Sequence, residues 1–440
     1  MARKLPRQRI ARSFPPEEYQ RRLERTREVM DARDLDGVLV ASPENIYYLC
    51  GLDHMGYFAY QVLIVRREGE PILVTRSMER ATVHDQVPDV HHVGYSDGAP
   101  PPPAPSPGGG DLVYSGGADG DQPGGLGPWS MSFGVPTRGL EPQPKRAAAP
   151  IDATVKALKE AGLAERRLGL EMANSFLPYR IAQGLIEGLP GAEWVDASGL
   201  VDDLRIVQSP LEIECTRRAA TVSEAMMLTA IAAAGKGVAK RDVMGSLYQV
   251  MFQRGGTYPG FIPLVRSTRT LTHEHGTWDH GVLRSRDVLF LEMAGCVRRY
   301  HAPMGRLVFI DKAPARAGKM LELCRRALEA AERRIGPGIP AGEVYRAWHA
   351  CLEEAGLSHY QRHHCGYSVG IGYPPSWSGS GVPVGLREGS DLKLKPGMVF
   401  HLMSWLLRTG KGDSFLSDTA VVTEDGCEVL TKVARDLYVR

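Results

Sequence analysis

The chain has 440 residues, of which 43% are hydrophobic and 24% charged, and its formal net charge at pH 7 is +2. This composition is typical of a globular protein with room for two substantial cores. A charge so close to zero gives no general attraction to nucleic acid or to an anionic membrane, so we expect a small-molecule partner. The seven cysteines show no CxxC spacing, which argues against a disulfide framework and against a zinc site.

The chain begins with a basic segment, MARKLPRQRIAR, which we assign to a tail over 1–14. A polar stretch, SFPPEEYQRR, follows it where a signal peptide would have an apolar segment. No later run approaches the roughly 18 apolar residues that span a bilayer. We therefore expect a cytoplasmic protein that does not enter the membrane.

Residues 15–208 are predicted to form an α/β domain. Helical spacing over 17–34 is followed by strand, turn and helix in GVLVASPENIYYLCGL, and by a hairpin in YQVLIVRREGEPILVT. The Gly- and Pro-rich segment 96–150 interrupts this pattern, because it cannot bury enough apolar surface to offset its chain entropy. We predict a disordered insertion there, either a solvated loop or a Pro-rich docking segment.

A second domain is predicted over 209–440. It starts in RIVQSPLEIE, where Ser209 and Glu212 have the spacing of a helix capping box and Pro210 occupies the first helical position. Helical spans at 211–234, 240–254 and 313–356 alternate with β-hairpin patterns. This order favours an α+β fold built on an antiparallel sheet.

The stretch LFLEMAGCVRRYHAPMGRLVF, residues 289–309, places Glu292 inside an apolar strand. A buried carboxylate needs a cation, a hydrogen-bond donor or a proton to offset its desolvation. One interpretation is a structural ion pair with Arg298, Arg299 or Arg306. The other is a catalytic carboxylate.

The second domain resembles the creatinase, prolidase and methionine-aminopeptidase superfamily. The resemblance lies in the SPLEIE helix start, the KPGMVF strand entry and the DTAVVTEDG hairpin. It implies a C-terminal domain of the pita-bread fold, an N-terminal α/β domain of the creatinase type, and a homodimer.

Metal-dependent members of this superfamily hold two divalent cations with two Asp, one His and two Glu. By resemblance, Glu292 stands at the first ligand position, while the other four positions are occupied by Pro303, Tyr367, Met403 and Ser417. One carboxylate cannot hold two hard cations, which need several oxygen or imidazole ligands. We therefore expect no metal ion and no other cofactor.

Three motifs, HGTWD, LEMAGCVRRYHAP and GYSVGIGYPPSW, are similar to those of the ectoine-hydrolase group of this superfamily. The resemblance implies that Glu292 attacks the amidine carbon of the substrate or activates a water molecule, and that His275 shuttles the proton. A cyclic amidinium carries its own positive charge, so a carboxylate can bind and attack it without a metal ion.

Further pocket residues are expected among the aromatic and histidine side chains near these motifs, since aromatic faces suit a cationic ligand. Each of them is also compatible with a core role. The predicted substrate-binding residues are Trp278, Tyr300, His301, His364, Tyr367, Trp377 and His401.

The sequence departs from the ectoine-hydrolase pattern at the 96–150 insertion and at two places in the second domain. Ser376 stands where an acidic residue is expected, and Ser404 with Trp405 replaces a Pro-Gly turn. A related amidine, a lactam or an acylated amino acid is therefore open as the substrate. The expected function is metal-independent hydrolysis of a C–N bond in a small amidine or amide, as in ring opening of ectoine to an N-acetylated diamino acid. The alternatives are an Xaa-Pro dipeptidase with non-standard metal ligands and a catalytically silent binding protein.

Overall fold

The structure, a computed structural model, describes residues 12–95, 148–381 and 383–440. It divides into two compact units, Met1–Val201 and Asp202–Arg440. Most of the predicted tail (1–14) and of the predicted insertion (96–150) lies outside the described residues. In the described part of the chain, no helix is long and apolar enough to cross a membrane.

The first unit contains a six-stranded mixed sheet. Its helices and strands are α1 (Pro16–Ala32), β1 (Gly37–Val40), α2 (Pro43–Cys50), β2 (Val62–Arg66), β3 (Ile72–Arg76), α3 (Arg80–Gln86), β4 (His91–Tyr95), α4 (Ala148–Glu160), β5 (Arg167–Leu170), α5 (Tyr179–Gly188) and β6 (Glu193–Asp196), and α6 (Leu200–Arg205) follows. The strand order is β4-β3-β2-β1-β5-β6. The predicted hairpin is the antiparallel pair β2–β3, and the α/β class is confirmed.

The second unit contains an eight-stranded sheet and four longer helices. Its elements are α7 (Pro210–Ala233), α8 (Lys240–Gln253), β7 (Leu264–Ser267), β8 (Val288–Val297), β9 (Tyr300–Phe309), α9 (Ala317–Arg334), α10 (Ala341–Glu354), β10 (Gly366–Ser368), β11 (Val399–Leu406), β12 (Ser414–Val422), β13 (Cys427–Val429) and β14 (Tyr438–Val439). The strand order is β10-β11-β12-β9-β8-β7, with β13 beside β12 and β14 beside β9. The pairs are antiparallel apart from β14–β9, so the predicted α+β class is confirmed.

The single helical span predicted over 313–356 is wrong, because two helices, α9 and α10, occupy it. The break contains Gly336, Pro337 and Gly338. Gly338 has a φ of +75°, a conformation that residues with a side chain rarely adopt. Pro337 also lacks the N–H that would continue a helix.

Helix α7 begins with the predicted capping box. The Ser209 side chain accepts a hydrogen bond from the Glu212 N–H, and the Glu212 side chain accepts one from the Ser209 N–H. The helix packs directly on β8, where the Ser223 hydroxyl accepts a hydrogen bond from the Gly295 N–H at 2.7 Å and donates one to the Ala302 carbonyl at 2.5 Å. These bonds fix α7 to the centre of the sheet.

Successive residues of β8 face opposite sides of the sheet. Leu291 and Met293 join the apolar core that α7 and α8 cover. Phe290 instead packs against Phe415 in a separate cluster. Glu292 lies two residues from Phe290, on the face turned away from α7.

Candidate active site

Glu292 belongs to a row of residues that crosses five strands. In the register of the sheet, Glu292 pairs with Leu264 on one side and with Gly305 on the other, Gly305 pairs with Ser417, and Ser417 pairs with Met403. Directly paired residues share one face of a sheet. Three of the superfamily's five ligand positions therefore lie on one row.

The other two ligand positions lie on the same face. Pro303 is two residues before Gly305, and Tyr367 pairs with His401, which is two residues before Met403. Because side chains alternate along a strand, both positions face the same side as Glu292. All five positions that resemble the superfamily's metal ligands thus share one face of the sheet.

The Glu292 side chain is 5% exposed. Burial raises the pKa of Glu292 from 4.5 to about 7, and the positive charges of Arg266 and Arg362 oppose this rise. The group therefore titrates near neutral pH, where a general base works best. An incoming cation would favour its ionised form.

The three arginines weighed from the sequence as partners of Glu292 serve other contacts. Arg306 pairs with Asp418 at 2.9 Å, and Arg299 donates to the Tyr258 carbonyl at 2.8 Å. Arg298 lies in the turn between β8 and β9 and contacts the Cys215 side chain. The interpretation of Glu292 as half of an ion pair with one of these residues is wrong.

A cavity of ≈ 510 Å³ opens in front of Glu292. Its wall combines apolar and aromatic side chains with a small set of charged and polar ones, as is usual for a small-molecule site. The lining residues include Phe261, Leu264, Glu274, His275, Glu292, Arg362, His363, His364, Tyr367, Pro375, Ser376, Trp377, Met403 and Trp405.

His275 lies on the exposed loop between β7 and β8 and lines this cavity. Its ring meets that of Phe261 edge-on, with centroids 6.2 Å apart. Two arginines help to hold the part of the loop next to His275: Arg266 donates to the His273 carbonyl at 2.6 Å, and Arg362 contacts Glu274 at 3.4 Å. The two arginines that act on Glu292 thus also fasten the segment that carries His275.

A chain of polar contacts runs from Trp377 through Tyr367 to His401, which lies beside Glu292. The Trp377 indole N–H donates to the Tyr367 hydroxyl at 2.9 Å, and that hydroxyl lies 3.1 Å from Nδ1 of His401. With the Tyr367 hydroxyl donating to Nδ1, the proton of His401 is on Nε2, which lies 3.8 Å from Oε1 of Glu292. Burial lowers the pKa of His401 to about 3, so its imidazole is neutral at physiological pH.

The structure places the nine predicted catalytic and binding residues in two groups. Five of them line the cavity: Glu292, His275, His364, Tyr367 and Trp377. A sixth, His401, is fully buried; it contacts Glu292 but does not line the cavity. The remaining three predicted residues are located outside the cavity wall: Trp278, Tyr300 and His301.

These three residues have structural contacts. The Tyr300 hydroxyl donates to Glu212 at 2.7 Å. His301 accepts from the Gly260 N–H at 2.8 Å through Nε2 and contacts the Gly370 carbonyl through Nδ1. Trp278 packs against the core that α7 covers.

The family follows from both units. Residues 214–424 match metallopeptidase family M24, and residues 22–115 and 138–207 match the creatinase/prolidase N-terminal domain. The chain belongs to the creatinase/prolidase family. It is therefore a hydrolase of C–N bonds, and the pita-bread assignment is confirmed.

Several family members resemble this chain. Ectoine hydrolase from Halomonas elongata is 27% identical over 445 residues, covering 98% of this chain and 99% of the relative. An Xaa-Pro dipeptidase from Pyrococcus horikoshii is 24% identical over 274 residues, covering 62% and 75%. The solved Xaa-Pro dipeptidase from Bacillus anthracis shares the fold with a TM-score of 0.74 at 20% identity, covering 96% of this chain and 100% of that one.

The donor set of this family member does not fit a dinuclear metal centre. Pro303, Met403 and Ser417 supply no carboxylate or imidazole. Burial raises the pKa of Tyr367 far above its ordinary value, so this phenol stays neutral. Among the described residues, no cluster of three or more His, Cys, Asp or Glu side chains is arranged to hold a metal ion.

Sequence reasoning missed three charged residues of the site, Arg266, Glu274 and Arg362. Arg266 is fully buried on β7, on the same face as Glu292, with its guanidinium 4.0 Å from the Phe290 ring centroid. A charge inside the apolar run PLVRS is the same signal that identified Glu292. Arg362 directly precedes the HHCGYSVG segment, and this position next to a motif could have identified it as a site residue.

Proposed function

We propose that this protein hydrolyses a C–N bond in a small cyclic amidine without a metal ion, as ectoine hydrolase opens the ring of ectoine. The observation that carries the proposal is the buried carboxylate of Glu292, with a pKa of about 7, at the wall of a cavity that His275 also lines. The 27% identity over nearly the full length of ectoine hydrolase supports the choice of substrate class.

The proposed reaction begins when the amidinium enters the cavity beside Glu292. The positive charge of the substrate favours the carboxylate form of Glu292, so binding itself prepares the base or nucleophile. The faces of Tyr367 and Trp377 supply further attraction for a cation.

The atoms balance with the consumption of one water molecule. The carboxylate of Glu292 attacks the amidine carbon directly, or removes a proton from a water molecule that attacks it. On the direct route, a C–O bond forms between Glu292 and the amidine carbon, one C–N bond breaks as His275 protonates the leaving amine, and a water molecule then hydrolyses the Glu292 adduct and restores the carboxylate. On the water route, the C–O bond comes from water, one C–N bond breaks as His275 protonates the leaving amine, and the proton taken by Glu292 replaces the one that His275 gives. The products are an amide and a free amine within one open chain, which for ectoine is an N-acetylated diamino acid.

The second candidate function is Xaa-Pro dipeptidase activity, because the solved relative with this fold from Bacillus anthracis carries that name. The absence of carboxylate and imidazole side chains at four of the five ligand positions argues against it.

A substrate panel separates the two functions. Purified protein, freed of metal with a chelator, is incubated with ectoine, creatine, acylated diamino acids and Xaa-Pro dipeptides, and the products are identified by mass spectrometry. We expect ring opening of ectoine or of a related amidine. Turnover restricted to Xaa-Pro dipeptides after metal is added back would overturn the proposal.

A further inference from the structure

The cavity wall carries a positive charge to which the proposed reaction assigns no role in binding the substrate. Among the described lining residues, Arg362 is the side chain with a permanent positive charge. Its guanidinium lies 4.9 Å from the Trp405 ring centroid, and the side chain is 18% exposed. The Tyr345 hydroxyl donates to the Arg362 carbonyl at 2.7 Å, which fixes the backbone. The cation is thus held at the cavity wall.

Glu274 is a weak partner for this cation. One Arg362 nitrogen contacts one Glu274 oxygen at 3.4 Å, and the Glu274 side chain is 55% exposed. Such half-exposed pairs contribute little to stability. A carboxylate inside the cavity could instead bind the guanidinium through two parallel hydrogen bonds, a stronger and more specific geometry.

We propose that Arg362 binds the carboxylate of the substrate, and that Glu274 occupies this anion site until the substrate displaces it. The inference rests on the proposed function for the other end of the ligand, where Glu292 binds the cation. The substrate class is then a zwitterion with an amidinium and a carboxylate. Glu274 adjoins His275, so its displacement also releases one of the contacts that hold the loop carrying the proton shuttle.

Two variants test the proposal with effects of opposite sign. Binding is followed in stopped flow, before turnover, through the fluorescence of Trp377 and Trp405 in the cavity wall. The probes are ectoine and the same methyl-substituted cyclic amidine without its carboxylate. Arg362→Gln should weaken ectoine binding by about 10- to 100-fold, the loss of a charge-assisted hydrogen-bonded pair. Glu274→Gln should strengthen it by about 2- to 5-fold, because a competing surface ion pair is removed.

Two controls isolate the role of the carboxylate. The neutral-tailed amidine should bind both variants and the wild type within about twofold of one another, since it has no group for Arg362 to hold. Arg362→Lys, which keeps the charge and loses the paired geometry, should fall between wild type and Arg362→Gln.

Several outcomes would overturn this inference. They are equal ectoine affinity in wild type and Arg362→Gln, equal loss of both probes in Arg362→Gln, weaker ectoine binding in Glu274→Gln, or no binding of ectoine to the wild type. If ectoine binds through Arg362 and is never hydrolysed, the anion site stands and the proposed function fails. If ectoine is hydrolysed and Arg362→Gln binds it as tightly as the wild type does, the proposed function stands and the anion site fails.

Discussion

The burial of Glu292 costs desolvation free energy, and it also gives the carboxylate a pKa suited to catalysis. Its carboxylate is almost fully buried, and two arginines offset only part of the desolvation, so its pKa settles near neutrality. A carboxylate placed for stability alone would have a direct ion pair and a low pKa. Raised pKa values of buried acids at a cavity wall are characteristic of functional sites.

The stability of the protein should depend on pH because of the raised pKa of Glu292. Folding raises the pKa of Glu292 to about 7. Below about pH 4.5 the group is protonated in both states and does not lower the free energy of unfolding. As the pH rises from 4.5 toward 7, the unfolded state releases this proton and the folded state keeps it, so the free energy of unfolding falls. The loss at pH 8 amounts to about 3 kcal/mol. Glu292→Gln should therefore unfold with the same free energy as wild type at pH 4, and with a larger one at pH 8. Denaturant titrations at both pH values measure this, and parallel pH curves for the two proteins would contradict it.

His275 is expected to act in catalysis without contributing to the fold. Its side chain is exposed on the loop between β7 and β8, so His275→Ala should leave the melting temperature nearly unchanged. Loss of the proton shuttle should lower kcat on the order of 10²–10⁴-fold. His280→Ala is the matched control, an exposed histidine of the same loop that does not line the cavity. Equal rates for the two variants would remove His275 from the mechanism.

The sequence predicted the candidate catalytic and binding residues of the site better than the charges that act on them. Glu292, His275, Tyr367 and Trp377 fall in motifs whose spacing marks them, and all four meet at one cavity. Arg266 escaped because its effect on Glu292 depends on the pairing of β7 with β8, which the sequence does not specify. Tyr300 and His301 were included because they adjoin the motif in sequence, although their hydrogen bonds to Glu212, Gly260 and Gly370 hold them outside the cavity wall.

The contact between α7 and β8 determines how the strand bearing Glu292 is held. A Cβ at Gly295 would lie 2.5 Å from the Ala219 carbonyl oxygen and 2.8 Å from the Ser223 nitrogen, both helix backbone atoms. The glycine therefore allows the helix to approach close enough for the Ser223 hydroxyl to bond to both β8 and β9. The side chains facing the cavity depend on this packing behind them.

Gly295→Ala should accordingly destabilise the protein by about 1–3 kcal/mol, since helix backbone must move to admit the methyl group. The matched control is Gly318→Ala in α9, where a Cβ meets nothing within 4 Å. There the substitution should stabilise by about 0.5–1 kcal/mol, because alanine favours the helix. Chemical denaturation of both variants measures the difference. Equal effects at the two positions would show that the close approach is unimportant.

Local sequence patterns predicted the helices and strands better than the point at which one helix ends and the next begins. The capping box at Ser209 and the hairpin β2–β3 were correct because short-range hydrogen bonds and turns decide them. The division of 313–356 into α9 and α10 was missed although Gly336, Pro337 and Gly338 lie in its middle, since apolar spacing continues on both sides of the break. The row from Leu264 to Met403 joins strands far apart in sequence, which only long-range register reveals.

The protein combines the architecture of a metal-dependent family with a different catalytic surface. The sheet presents the five positions that resemble the family's metal ligands on one face, and four of them carry neither a carboxylate nor an imidazole. Under the proposed function, hydrolysis relies instead on one carboxylate, one histidine and the charge of the substrate.

Turnover of ectoine by chelator-treated protein, compared between wild type and Glu292→Gln, tests this account most directly. We expect the wild type to keep its full rate after metal removal, with no gain when Mn²⁺, Co²⁺ or Zn²⁺ is added. The variant should lose on the order of 10³-fold or more while remaining folded. A wild-type activity that disappears with the metal and returns with it, or a Glu292→Gln protein with an unchanged rate, would contradict the mechanism.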